Sequence, residues 1–381
     1  MVNDIICYSH LRWNFVYQRP QHLLSRFSKE ARVIFFEEPM FGEHDDHYIL
    51  NKDANDNVWI ATPILNSNES RFSLNQRLTT ILDSVIHALH INDHIAWYYT
   101  PMALPFSEHL EPQLIVYDCM DELSAFKNAP SRLIDLEKQL FEKADVIFTG
   151  GHSLYQHKKQ HHHNIHPFPS SIDKEHFGKS RNIIEEPADQ KHIPFPRFGF
   201  YGVIDERVNI ELVKEVAERK PEWNFVLLGP FAKIDVNELP RLKNIHYLGQ
   251  KSYHQLPEYL SGWDVAMMPF ALNEATRFIS PTKTPEFLAG GKPVISTSIR
   301  DVVEPYGRLG LVHIADTANE FIEAGQTILG QNDESITWKS DVDKFLSGNS
   351  WDKTWAKMKQ IMEMTMIGKQ ISNSEKTRAY V

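Results

Sequence analysis

Cysteine is almost absent from this chain: Cys7 and Cys119 are the only two in 381 residues. Each lies in, or ends, an apolar run, so both read as small core residues in a reducing compartment rather than as a disulfide framework. Long apolar stretches are missing too, and none approaches the roughly 18 residues that a membrane-spanning helix requires. The opening Met1-Val2-Asn3-Asp4 places no basic segment before its short apolar run, which argues against a secretory signal and for a cytoplasmic protein. Positive charge is not in excess. The formal net charge is −10, so no global field attracts nucleic acid. Neither Gly-x-Gly-x-x-Gly nor a Walker loop occurs, which removes the dinucleotide fingerprint and the P-loop.

What is present is an ordinary globular composition, 42% hydrophobic and 24% charged, in a chain long enough for two domains with separate cores. Short apolar runs alternate with helical patterns. Six candidate strands lie at 5–9, 33–36, 58–62, 96–100, 114–117 and 146–149. Six more lie at 198–202, 224–228, 245–248, 265–269, 293–297 and 311–314. Most are apolar at every position, as expected of parallel strands covered on both faces. Helical periodicity fills the gaps, for example at 21–29, 74–89, 131–143, 210–220 and 319–329. The alternation predicts α/β layers with parallel sheets. Residues 183–196 hold three prolines and no periodicity. They read as a linker and hinge between a first domain, 1–182, and a second, 197–349. In the tail, 350–381, Trp351, Trp355, Met358, Met362 and Thr365 form one stripe of an amphipathic helix; beyond Gly368 the tail is polar and is expected to fray.

The densest chemistry sits in the run from Pro281 to Ser296. It reads as a loop, a short helix, a glycine stop and a buried strand. Lys283 and Glu286 are three residues apart at the helix start and so share a face. A helix N-terminus favours phosphate, and a carboxylate beside it can accept hydrogen bonds from ribose hydroxyls. The set is suited to a nucleotide diphosphate; the same residues also fit a plain helix–strand joint with solvated charges.

The run resembles the donor segment of GT-B glycosyltransferases, particularly family 4, whose pattern is roughly Pro-x-Lys-x-x-Glu-x-x-Ala-x-Gly-x-Pro-Val. Pro281, Lys283, Glu286, Ala289, Gly291, Pro293 and Val294 carry the match. The resemblance implies a fold of two Rossmann-like doubly wound domains facing a cleft, with a C-terminal helix returning to the first. It also implies that Glu286 binds the donor ribose, that Lys283 lies near the diphosphate, and that transfer retains configuration without a metal. Many relatives carry a second Glu eight positions earlier. Phe278 stands there, and Glu274 is the nearest upstream carboxylate. Gly202 and Arg207 match the family's glycine turn and phosphate-side cation. Residues 168–177 resemble its Pro-Asn-Gly-Val-Asp-x-x-x-Phe segment, with Ser170 and Ser171 replacing Asn-Gly. The Gln-Arg-Pro-Gln-His-Leu core at 18–23 is similar to bacterial surface-polysaccharide enzymes, including those of the teichuronic-acid type.

The loop 9–22 combines two arginines, two histidines and three aromatics at the end of the first strand, where doubly wound folds bind ligands. His10, Arg12, Trp13 and Arg19 are the acceptor-side candidates, although Trp13 could equally tuck into the core and the arginines cap neighbours. Asp118, Asp121 and Glu122 end another strand. Asp121 fits a base toward an acceptor hydroxyl, and fits a helix N-cap as well. The expected catalytic set is Asp121, Lys283 and Arg207; the donor set is Gly202, Arg207, Glu274, Lys283 and Glu286. The expected ligands are a nucleotide-diphosphate sugar, most simply a UDP-sugar, and a glycan or lipid-linked acceptor. No cofactor or metal is expected, no nucleic acid, and a peripheral contact with the inner membrane is a further expectation. Asp341-Val342-Asp343, the polar run 44–47 and the His-rich run 157–163 are the residual metal-like patterns. A sugar-nucleotide epimerase and a non-catalytic polysaccharide-binding module are the competing readings.

Overall fold

The computed structural model describes residues 2–69, 71–183, 185–330 and 335–379. Two sheets organise them. In the first, the spatial order is Met40–Gly42, Val58–Asn66, Arg32–Phe36, Asp4–Tyr8, His94–Tyr98, Leu114–Cys119, Val146–Thr149 and Ile165–Pro167. These neighbours pair in parallel, and His47–Lys52 joins Val58–Asn66 antiparallel at one side. The second sheet runs Ile245–Tyr247, Asn224–Leu228, Arg197–Tyr201, Val265–Met268, Val294–Ser296 and His313–Ile314, all parallel.

The uninterrupted apolar runs have a direct cause. In the first sheet Ile6, Tyr8, Ile34, Phe36, Ala96 and Tyr98 pack on one face, whereas their neighbours Ile5, Cys7, Val33, Phe35, Ile95 and Trp97 pack on the other. Successive side chains point to opposite faces, and both faces are covered by helices, so no position is left for polarity. The two cysteines are buried and unpaired, as expected of small core residues.

Three strands escaped the sequence reading. His47–Lys52 alternates between exposed and half-buried positions and carries polar ends, the mark of an antiparallel edge strand. Met40–Gly42 and Ile165–Pro167 are three residues each, too short for periodicity to register.

The helix Trp351–Ala379 crosses back to the first domain. Trp351, Met358 and Met362 are buried against the same core as Trp97 and Phe148. Arg26–Asp352 (2.8 Å), Lys359–Glu30 (2.5 Å) and Lys369–Asp145 (2.6 Å) flank the seam. The helix continues past Gly368, where fraying was expected, and residues 380–381 lie outside the described ones.

The boundary in the packing falls earlier than the composition suggested. Ile172 and Phe177 belong to the core of the second sheet. The stretch 183–196, of which Ile184 lies outside the described residues, has no helix or strand but is fastened down. Gln190 is fully buried, donating to the Tyr259 carbonyl (3.0 Å) and accepting from Trp263 Nε1 (2.9 Å). The expected loose hinge is thus a strap held on the second domain.

Candidate active site

The carboxyl ends of both sheets open onto one cleft of about 650 Å³. On the second-domain side, strands Arg197–Tyr201 and Asn224–Leu228 run into Gly202 (φ +145°) and Gly229 (φ +143°). A Cβ on Gly229 would lie 1.8 Å from the Gly202 carbonyl oxygen, and one on Gly202 would lie 2.3 Å from Lys283 Cε. Only glycine accommodates both the backbone angle and these approaches. Gly202 therefore makes room for the lysine that the sequence singled out.

Lys283 opens the helix Lys283–Ala289, and one turn later Glu286 lines the same cleft. Among the described residues Lys283 forms no ion pair. Burial lowers its pKa; nearby Glu286 opposes that shift and Arg207 adds to it. Glu286 is buried, and its Oε2 accepts a 2.7 Å hydrogen bond from Tyr201 Oη. Burial pushes its carboxyl up to about 7, against the pull of Lys283 and Tyr201. A carboxyl shifted by burial, beside a cation with no ion pair and in a cleft, marks a candidate functional site.

Arg207 also lines the cleft, but its guanidinium is already bidentate on Asp205 (2.6 and 3.0 Å) and lies 5.4 Å from the Phe126 ring centroid of the first domain. Across the cleft, Asp121 accepts no hydrogen bond at its carboxylate among the described residues. Burial between the domains raises its pKa to about 6, opposed by Arg207, Arg19 and Lys283 and reinforced by Asp205. Asp121 is not a helix cap: the following helical turn, Leu123–Ala125, begins after Glu122.

The structure thus brings together Gly202, Arg207, Lys283, Glu286 and Asp121, with Trp13 and Arg19 on the first-domain side of the same cleft, and places Glu274, Arg12 and His10 outside it. Glu274 is exposed, pairs with Arg277 (3.4 Å) and faces a different hollow. Phe278, at the place of the family's second Glu, inserts into the first-domain core and stacks on His157 at 4.6 Å. Arg19 edges the cleft, but it is 3% exposed, its guanidinium clamped on Asp118 (2.8–3.1 Å) and donating to the Phe168 carbonyl (2.7 Å). Trp13 is 6% exposed, packed edge-on against Phe35 with Nε1 on Asp53. Arg12 pairs with Glu37 (3.0 Å) outside the cleft. His10 lines a separate apolar cavity of the first domain.

The metal-like patterns dissolve into other bonds. Asp343 pairs with Arg181 (2.8 Å), Asp46 with Arg77, and His162 Nε2 donates to the Ala144 carbonyl (3.1 Å). Among the described residues no group of three or more His, Cys, Asp or Glu is placed to hold a metal ion.

Two residues were missed. Tyr201 orients Glu286, and its only sequence signal is a hydroxyl at the end of an apolar strand beside Gly202. Tyr253 stacks on Tyr17 (4.4 Å) and His176 (4.3 Å) while its buried hydroxyl has no partner. With the Phe15 carbonyl accepting from Gln250 Nε2, these contacts join the first-domain loop 9–22 to the second domain.

Residues 196–331 match the family described as glycosyl transferases group 1. A Bacillus subtilis protein, named provisionally as a teichuronic acid biosynthesis glycosyltransferase, is 26% identical over 313 residues, 77% of each chain. A structure from E. coli, described as trehalose-6-phosphate bound with UDP-2-fluoro glucose, superposes with a TM-score of 0.68 at 12% identity, covering 94% of this chain and 99% of that one. Sucrose-phosphate synthase from Thermosynechococcus elongatus gives 0.68 at 14% identity, covering 96% and 100%. No helix among the described residues is long and apolar enough to cross a membrane. With the two facing parallel sheets and the returning helix, these likenesses make the chain a glycosyltransferase of the GT-B fold, its group 1 domain formed by residues 196–331.

Proposed function

We propose that the protein transfers a sugar from a nucleotide-diphosphate donor, most simply a UDP-sugar, to a hydroxyl of a glycan or lipid-linked acceptor. The observation that carries this reading is the cluster at the end of the second sheet: Gly202 making room for Lys283, with Tyr201 holding Glu286 beside it. In this scheme Glu286 accepts hydrogen bonds from the ribose, and Lys283 and Arg207 face the diphosphate. The acceptor oxygen bonds to the anomeric carbon as the bond from that carbon to the phosphate oxygen breaks. The electron pair leaves with the nucleoside diphosphate, and the cations meet its growing charge in a closed cleft where such contacts are strong. Asp121 receives the hydrogen bond of the attacking hydroxyl. In the retaining course, which the family 4 resemblance supports, the proton ends on the departing diphosphate. The UDP-sugar bound to the E. coli neighbour and the biosynthetic role given to the Bacillus subtilis relative support the donor class and a surface-polysaccharide acceptor.

A screen of nucleotide sugars for slow hydrolysis by the full chain tests the donor. One sugar should release its nucleotide, and the same nucleotide should raise the melting temperature. Because Lys283 and Arg207 supply the positive charge, EDTA should leave initial rates within about twofold. A strict need for Mg²⁺ or Mn²⁺ would overturn the metal-free scheme.

A further inference from the structure

Behind the loop that carries Asp121, the first domain holds a second cavity of about 410 Å³, within the size range of small-molecule pockets. Tyr8, Phe36, Leu78, Ala103, Phe106 and Leu133, all buried, form its floor. Phe41 and Leu74 stand at its mouth, 62% and 37% exposed, and Met40 and Phe72 next to them are 51% and 57% exposed. Large apolar side chains gathered at the mouth of an apolar cavity mark a binding surface rather than scattered surface residues. Charged groups line it as well: Lys127, Arg132 and Lys233, with Glu38 and with Glu37, which is held by Arg12 and Thr62. Among the described residues Lys127 and Arg132 have no ion pair, and Lys233 has only Glu206 at 4.0 Å. His10 Nδ1 is buried there without a hydrogen-bond partner. Lys233 comes from the second domain and, like Arg207 of the cleft, lies 5.4 Å from the centroid of the Phe126 ring. Phe126 therefore stands between cavity and cleft.

We propose that this cavity holds the apolar chain of an amphiphilic acceptor, a lipid phosphate bearing the glycan to be extended. Its phosphate sits among Lys127, Arg132, Lys233 and His10, and its glycan passes Phe126 toward Asp121. The inference rests on the glycosyltransferase reading and gives the acceptor its chemical class. A free polysaccharide would lay most of its hydroxyls against aliphatic and aromatic side chains, with the Tyr8 hydroxyl as the floor's own polar group. A hydrocarbon chain gains about 25 cal/mol per Å² of apolar surface removed from water there, and any chain longer than the cavity leaves past Phe41 and Leu74. The three cations match a phosphate head and not a neutral glycan.

The test uses the full chain and monomeric farnesyl phosphate as probe, with inorganic phosphate and farnesol as separate arms, read by calorimetry. Farnesyl phosphate should bind at least tenfold more tightly than either fragment. Lys127→Ala with Arg132→Ala should weaken it about tenfold or more, and so should Phe41→Ser with Leu74→Ser. All four positions are exposed, so the fold should survive, and an unchanged UDP-induced rise in melting temperature would verify that. Equal binding of inorganic phosphate would reduce the site to an anion contact and overturn the proposal. So would binding that ignores both double variants, or retention on phosphatidylglycerol vesicles that soluble farnesyl phosphate cannot compete. No farnesyl phosphate binding in a protein that still binds UDP would overturn the cavity assignment alone; loss of UDP binding in the wild type would instead strike the donor reading.

Discussion

Tyr201 Oη donates a 2.7 Å hydrogen bond to Glu286 Oε2, joining the end of one strand to the first turn of a helix 85 residues later. The bond fixes the rotamer of the carboxylate that faces the cleft and is independent of any ligand. If Glu286 receives the ribose hydroxyls, Glu286→Ala should abolish the melting-temperature rise caused by UDP while leaving the circular dichroism spectrum unchanged. Tyr201→Phe keeps the ring and loses one hydrogen bond, worth about 1 kcal/mol, so UDP should bind several-fold more weakly. Nucleotide affinity that survives Glu286→Ala would end the donor-site assignment.

Two carboxyls of the cleft hold protons that the unfolded chain releases. Glu286 is raised to about 7 and Asp121 to about 6, in both cases mainly by burial. Between about pH 4 and 7 the folded state binds more protons, so stability falls as pH rises, by up to about 1.4 kcal/mol per pH unit for each group. Glu286→Gln should flatten the decline near neutrality. Urea denaturation at a series of pH values in the absence of nucleotide measures it, and parallel curves for the two proteins would refute the assignment.

Asp121 lies across the cleft from Lys283 and Glu286, and its carboxylate accepts no hydrogen bond among the described residues. Asp121→Asn should keep UDP affinity and lower transfer about tenfold, because a neutral amide oxygen replaces the charged acceptor that orients the attacking hydroxyl. In the wild type, the free enzyme's kcat/KM should climb through about pH 6 as Asp121 ionises. Equal loss of binding and transfer, or of neither, would remove Asp121 from the acceptor side.

Arg19 makes the opposite prediction. Its partner Asp118 is fully buried, and stranding one member of a buried pair costs about 3–5 kcal/mol. Arg19→Ala should therefore lower the urea midpoint sharply, and Arg19→Met combined with Asp118→Asn should recover part of the loss. A stable Arg19→Ala protein with a raised acceptor KM would restore the residue to substrate contact.

What could be read in the sequence was whatever depends on local pattern. Uniform apolar runs identified covered strands, and the spacing of Lys283 and Glu286 placed two side chains on one face of a short helix. What depends on distant pairing was hidden. Arg19 looked available because Asp118 lies 99 residues away. Trp13 fitted the acceptor side and the core equally, because neither Phe35 nor Asp53 announces that it will enclose an indole. Glu274 looked like a replacement glutamate by proximity along the chain, but its helical turn faces solvent and Phe278 fills the gap between domains. Tyr201 went unseen because a tyrosine closing an apolar strand is indistinguishable from core until its hydroxyl is located.

The returning helix has a consequence for the order of synthesis. Trp351, Met358 and Met362 complete the core beside Trp97 and Phe148, yet they leave the ribosome after every strand of both sheets. The first domain is made early and must wait, with part of its apolar face uncovered, until the whole second domain has followed it. The second domain has no such debt, since its core draws on Ile172 and Phe177, already made before its first strand. Vectorial folding, in which the earlier domain finishes first, is therefore inverted: the second domain can reach its final packing while the first still lacks its last wall.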